Sequence, residues 1–233
     1  MNAIITGATK GIGNAIAEKL LKENYNIIIC SRNEVELKNI ILEWQKKFPT
    51  RKILGFKTDM SLKNEVDNFA KNCLENFEKI DVLINNAGYF IPGNIRDEAD
   101  GTLEKMLNTN LFSAYHLTRK ILPNMIKNNV GHIFNISSVA GIKAYPMGGS
   151  YSISKFALEG FSKNLREELK TKNIKVTSII SGATYTNSWS ESGIEPSRIM
   201  QASDVADALF SAIRLSKNAV IEELILRPQL GDL

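Results

Sequence analysis

Tyr151 and Lys155 stand four residues apart at the head of a strongly helical segment, Gly149-Ser150-Tyr151-Ser152-Ile153-Ser154-Lys155. On a helix that spacing sets both side chains on one face, one turn apart. A lysine ammonium beside a phenol favours phenolate, so the pair is expected to draw the tyrosine pKa from its ordinary value of about 10 toward neutrality. A tyrosine tuned in this way can exchange a proton with a reacting carbonyl. Of the 6 tyrosines only this one is followed four residues later by lysine, yet a surface pair packed along a helix would read the same way. The rest of the chain must decide between the two.

Short apolar, β-branched runs alternate with amphipathic segments almost from end to end, the pattern of a parallel sheet covered by helices on both faces. Strands are expected over 3–5, 27–30, 53–56, 82–84, 133–136, 176–180 and 220–226. Between them, apolar residues recur at helical spacing: Ile12, Ile16 and Leu20; Leu37, Ile41, Trp44 and Phe48; Val66, Phe69, Cys73 and Phe77, with Ser61 as N-cap. A long helix over 101–128 is expected to bend or break near Pro123. The helix bearing Tyr151 continues through Leu158, Phe161, Leu165 and Leu169, and a last helix begins at a cap on Ser203. A loop over 182–201 is rich in Ser, Thr and Asn. The reading is one α/β domain over 1–233, a doubly wound Rossmann-type fold with a seven-stranded, mainly parallel sheet.

The formal charge is +4, without a basic run of five or more and without alternating aromatic and basic residues, so neither nucleic acid nor a membrane surface is an expected partner. Cys30 and Cys73 fall on an apolar strand and an apolar helix stripe, which suits packed thiols rather than a disulfide, and no metal site is expected. The first residues pass straight into an apolar strand, and no apolar run approaches the ~20 residues of a membrane span. The expectation is a cytoplasmic protein.

In doubly wound sheets ligands bind outside the carboxyl ends of the strands, so chemistry belongs in the residues that follow each strand. After the first comes Gly7-Ala8-Thr9-Lys10-Gly11-Ile12-Gly13, whose glycines let the backbone approach a pyrophosphate while the next helix presents its N-terminal N–H groups. The spacing is Gly-x-x-x-Gly-x-Gly, different from the general dinucleotide fingerprint. Asn85-Asn86-Ala87-Gly88 follows the fourth strand, Asn110 lies in the helix after it, and Asn135-Ile136-Ser137-Ser138 closes the fifth.

With Tyr151 and Lys155, these motifs make the chain resemble the short-chain dehydrogenases and reductases over essentially its whole length. The resemblance implies that Tyr151 is the catalytic acid or base, that Lys155 lowers its pKa and holds the nicotinamide ribose, and that Ser138 hydrogen-bonds the substrate oxygen. Ser137, its neighbour, would point to the opposite strand face. Asn110 resembles the asparagine that bends its helix and positions a water in a proton relay to the lysine. Asn86, Ala87 and Gly88 resemble the turn lining the adenine-ribose side, and Asp59-Met60 the pair that meets the adenine ring. Family members carry Pro-Gly after the sixth strand where this chain has Ser181-Gly182, so the path of the loop is less fixed, although Gly182, Thr184 and Thr186 still match positions at the nicotinamide end.

The cofactor can be argued physically. An NAD site places an acidic residue near the end of the second strand for the ribose 2′-OH. Here Cys30-Ser31-Arg32 occupies that place, with no carboxylate before Glu34. Arg32, Ser31, Thr9 and Lys10 can instead surround a 2′-phosphate, and NADP(H) is expected. The substrate is expected to be a small carbonyl compound, a ketone or dicarbonyl, in a pocket of Ser138, Tyr145, Met147, Tyr185 and Trp189. The 183–189 loop and the ending from Glu222 to Asp232 resemble the bacterial sepiapterin-reductase-like branch, which implies a pterin side chain as one substrate. A 3-oxoacyl carrier-protein reductase shares every catalytic motif and is the alternative, while a non-catalytic NADP(H) sensor would be expected to lose the tyrosine or lysine. The resemblance also implies a homodimer or homotetramer built on the two long helices over 101–128 and 151–172.

Overall fold

The structure, a computed structural model, describes residues 1–186, 189 and 193–232. Strands and helices alternate as β1 (Asn2–Thr6), α1 (Gly11–Lys22), β2 (Asn26–Ser31), α2 (Glu34–Lys47), β3 (Ile53–Lys57), α3 (Lys63–Asn76) and β4 (Val82–Asn85). There follow α4 (Thr102–Leu107), α5 (Ser113–Asn128), β5 (Gly131–Ile136), α6 (Gly149–Leu169) and β6 (Ile174–Ser181). Two-residue strands β7 (Thr184–Tyr185) and β8 (Met200–Gln201), then α7 (Ala202–Ile213) and β9 (Glu223–Leu226), complete the chain.

Seven strands form one sheet in the order β3-β2-β1-β4-β5-β6-β9, every pair parallel. The sheet is therefore wholly rather than mainly parallel. The chain winds outward from β1 to β3 and then returns to β4 on the other side of β1, so a crevice opens at the carboxyl ends of these two strands.

Successive side chains on a strand face opposite ways, and the burial follows that alternation. Ile5, Ile27, Ile29, Ile84, Phe134 and Ile136 pack with α1, α2 and α7, where Trp44, Leu20 and Leu209 are buried. Ile4, Ile28, Cys30, Leu83 and Ile133 face α3, α5 and α6, meeting Phe69, Cys73, Leu117 and Leu165. Both cysteines are free and buried in this second layer as packed thiols.

Four local expectations are corrected. Ser61 does not cap α3: its N–H and hydroxyl donate to Asp59 Oδ1 at 2.9 and 2.7 Å, and the helix starts at Lys63 after Leu62. Ser203 lies inside the first turn of α7, which Gln201 caps in a reciprocal box with Asp204. The helix over 102–128 runs through Pro123; its irregularity is a π-turn over Asn108–Phe112, which separates α4 from α5 and contains Asn110. The loop after β6 carries its own two-stranded parallel ladder, Thr184 opposite Met200 and Tyr185 opposite Gln201, a pairing between segments too short for periodicity to reveal.

Candidate active site

Two residues beyond β5, the Ser138 side chain lies beside the Tyr151 hydroxyl, and its Oγ accepts from the Ala140 N–H at 3.2 Å, which fixes its direction. Ser137 points elsewhere, its buried Oγ without a partner. Tyr151 and Lys155 occupy the first two turns of α6 on the face packed against the sheet, Lys155 buried and Tyr151 partly so. Lys155 Nζ donates to the Ile136 carbonyl at 2.9 Å and lies 5.7 Å from the centroid of the Tyr151 ring.

The electrostatics reverse one expectation. Burial pushes the Tyr151 phenol up to about 12, the neighbouring Ser138 hydroxyl pulls it back, and the Tyr145 phenol nearby raises it further. Burial pulls Lys155 down to about 8, opposed by the Glu159 carboxylate one turn along the helix. Desolvation disfavours the charged form of each group. The Lys155 ammonium, which donates to a backbone carbonyl and not to the phenol, does not reverse that cost for Tyr151.

Asn110 is buried and fully engaged. Its Oδ1 accepts from the Tyr89 N–H at 3.0 Å, and its Nδ2 donates to the Tyr89 carbonyl at 3.1 Å and to Ser154 Oγ at 2.9 Å. Ser154 in turn donates to the Tyr151 carbonyl at 2.7 Å. The π-turn widens the helix at Asn110, and the side chain ties that turn to the strand-four loop and to the backbone of the tyrosine. Gly88 sits in this corner: a Cβ there would lie 3.1 Å from Asn110 Oδ1 and 3.8 Å from Lys155 Nζ.

Beside this cluster the loops after β1 and β4 are stitched together. Thr6 Oγ1 accepts from the N–H groups of Asn86 and Ala87 at 3.0 and 2.9 Å, and Asn86 Nδ2 donates to the carbonyls of Thr6 and Gly7, both at 2.9 Å. Gly13 has no room for a side chain, since a Cβ would come within 2.4 Å of Asn86 Nδ2 and 2.5 Å of the Gly7 oxygen. Helix α1 begins after Lys10 without a side-chain cap, with Gly11 in the left-handed region at φ +59°. Its first-turn N–H groups, Gly11, Ile12 and Gly13, are thus left for an anion, which is the fit a pyrophosphate requires.

At the next strand end, Thr9 Oγ1 and Ser31 Oγ are 3.3 Å apart, Arg32 is exposed, and Lys10 Nζ pairs with Glu36 at 2.7 Å. Glu36 is the carboxylate that spacing did not place here. The pair is exposed and so weakly held, leaving Lys10 able to turn toward a phosphate. Asp59 is occupied with Ser61, and the Met60 side chain is buried in the core beneath the sheet rather than on its rim.

The family model for short chain dehydrogenases matches residues 1–196. The chain belongs to the short-chain dehydrogenase family. It is 29% identical over 226 residues to an uncharacterized oxidoreductase of Staphylococcus epidermidis, covering 97% of this chain and 96% of the relative. Its fold matches the closed form of a serine dehydrogenase complexed with NADP+ at a TM-score of 0.91 and 25% identity, over 100% of this chain and 97% of the other. It also matches the actinorhodin polyketide ketoreductase with NADPH at a TM-score of 0.88 and 26% identity, again over 100% and 97%.

In this short-chain dehydrogenase the missing proline after β6 is replaced by hydrogen bonding. The Gly182 N–H donates to the Leu226 carbonyl at 2.8 Å and Thr184 Oγ1 to the Gly182 carbonyl at 3.0 Å, while Thr186 comes against Gly11. Tyr145 is brought to Tyr151, and Tyr185 and Trp189 stand on the loop, where the Trp189 N–H donates to the Thr186 carbonyl at 2.9 Å. Residues 187, 188 and 190–192 of the expected substrate loop lie outside the described residues. Sequence reasoning missed Phe90, whose ring packs edge-on against Tyr151 with centroids 4.8 Å apart. Its place two residues beyond Gly88 was the available signal.

Proposed function

We propose that this protein is an NADP(H)-dependent carbonyl reductase acting on a ketone or dicarbonyl compound, a pterin side chain among the candidates. The observation that carries the reading is the convergence of three side chains, Ser138 beside the Tyr151 hydroxyl and Lys155 buried one turn behind, its Nζ 5.7 Å from the Tyr151 ring centroid. NADP(H), when bound, supplies the hydride. Gly7, Gly11, Ile12 and Gly13 would hold its pyrophosphate, Thr9, Lys10, Ser31 and Arg32 its 2′-phosphate, and Lys155, Thr184 and Thr186 its nicotinamide end, with Asp59, the Met60 backbone, Asn86, Ala87, Gly88 and Gly182 lining the remainder.

Ser138 and Tyr151 hold the substrate oxygen. A phenol pushed up to about 12 keeps its proton at neutral pH and releases it only to a stronger base, which an oxygen turning into alkoxide becomes. The Ser138 hydroxyl remains to stabilise that developing charge. Lys155, protonated below about pH 8, supplies a positive charge in the same dry corner, and Asn110 steadies the helix turn through which a water can relay protons to it.

The protein is proposed to be cytoplasmic and to work as a homodimer or homotetramer. Supporting the assembly, Phe112 at the end of the π-turn, Tyr115 of α5 and Phe156 of α6 are exposed, and Phe112 and Tyr115 line a groove with Ala157 and Phe161. The test of the function is NADPH oxidation with diketones, aldehydes and acetoacetyl thioesters, NADH as control. Tyr151→Phe is expected to lower turnover ~10²- to 10⁴-fold while NADPH still binds. Carbonyl reduction unchanged in Tyr151→Phe sinks the mechanism.

A further inference from the structure

Residues 89–101, between the Gly88 turn and α4, contain no helix or strand, yet Glu98 fastens them to the catalytic helix. Glu98 Oε1 accepts from the Ser150 N–H at 2.8 Å, and Oε2 accepts from the Ser150 hydroxyl. Ser150 immediately precedes Tyr151. The backbone around the carboxylate leaves room for nothing else: a Cβ on Gly149, which sits at φ +33°, would lie 2.1 Å from Glu98 Oε1, and one on Gly93 would lie 2.8 Å from Glu98 Cγ. The Gly93 N–H donates to the Met147 carbonyl at 3.0 Å, a second stitch to the same turn. Eight residues before Glu98, Phe90 lies edge-on against the Tyr151 ring while remaining half exposed, with Tyr145 and Met147 also exposed at this mouth.

We infer that Glu98 is a positioning residue that clasps the 89–101 segment to the catalytic helix, and that Phe90, held by this clasp against Tyr151, selects carbonyl substrates bearing a ring or other flat apolar substituent. The inference rests on the carbonyl-reductase reading. A carboxylate at the first turn of a helix also meets the positive end of its dipole, which favours the clasp. An aromatic edge beside the reactive hydroxyl offers a face to a second ring and nothing to a small aliphatic group.

The experiment compares kcat/KM for 1-phenyl-1,2-propanedione with that for 2,3-butanedione, with NADPH, in the full chain. Phe90→Ala and Glu98→Ala are each expected to lower the ratio of the two about tenfold. Glu98→Gln, which keeps an acceptor for the Ser150 N–H, retains most of it. The double variant is expected to fall no further than Phe90→Ala alone, because Glu98 acts through Phe90. An unchanged ratio in either alanine variant, or additive losses in the double one, overturns the inference. Loss of amide hydrogen-exchange protection at Ser150 in Glu98→Ala reads the clasp without substrate, and unchanged protection there overturns it too. Failure of the wild-type protein to reduce either dione is a failure of the functional reading instead.

Discussion

Lys155 Nζ donates to the Ile136 carbonyl at 2.9 Å, a bond between the catalytic helix and the end of β5, and not to the Tyr151 hydroxyl one turn away. The ammonium is thereby held at the sheet end of the site, where burial has brought its pKa to about 8. The first consequence is a pH dependence. In the free protein Lys155 loses its proton near pH 8, so kcat/KM for carbonyl reduction is expected to fall above that pH, with a slope approaching tenfold per unit. A profile flat to pH 10 contradicts the assignment.

The same shift predicts a stability change. A lysine whose folded pKa lies below its ordinary 10.5 binds fewer protons folded than unfolded between about pH 8 and 10.5, so stability rises with pH across that window. Below it the burial cost is fully present, of order 3 kcal/mol. Lys155→Met is expected to raise Tm at pH 7 by several degrees and to abolish turnover. Denaturation scans at pH 7 and pH 10 check both halves, since the gain should shrink at the higher pH.

Arg32 and Lys10 can be separated by cofactor preference. Arg32→Ala is expected to weaken NADPH binding about 10- to 100-fold, the range for one charge-assisted hydrogen bond, and to leave NADH binding nearly unchanged. Lys10→Ala should cost less, because Lys10 already has Glu36 as partner. Equal losses for both cofactors would show that Arg32 does not meet the 2′-phosphate.

Gly13 and Gly101 predict opposite causes of damage. Gly13→Ala forces a Cβ into the space of Asn86 Nδ2 and the Gly7 carbonyl, so a loss of about 1–3 kcal/mol in stability is expected, together with impaired NADPH binding. Gly101 has open space around it and only a left-handed backbone at φ +81°, so Gly101→Ala should cost about 1 kcal/mol and leave NADPH affinity intact. Urea titrations with and without NADPH distinguish the two.

Oligomerisation is tested at the groove between α5 and α6. Phe112→Glu places a charge on the exposed apolar strip and is expected to shift a dimer or tetramer to monomer by light scattering, without changing the fold by circular dichroism. A wild-type protein that is monomeric at working concentration refutes the proposed assembly.

Sequence by itself determined the frame. Alternating β-branched and amphipathic runs specify a parallel sheet because each strand must be buried on both faces, and the motif residues fall at strand ends because that is where the backbone turns toward the crevice. Gly7, Gly11, Gly13, Ser138, Tyr151 and Lys155 were legible for that reason. Tertiary structure decided the rest, since it depends on what each group meets after folding. Burial, invisible in the spacing of Tyr151 and Lys155, drives their pKa values in directions set by desolvation rather than by mutual attraction. Asp59 took the groups that would have let Ser61 cap α3, and Gln201 took the place of Ser203. Glu98 and Ser150, 52 residues apart, read as unrelated polar residues until the fold sets one against the other beside Tyr151.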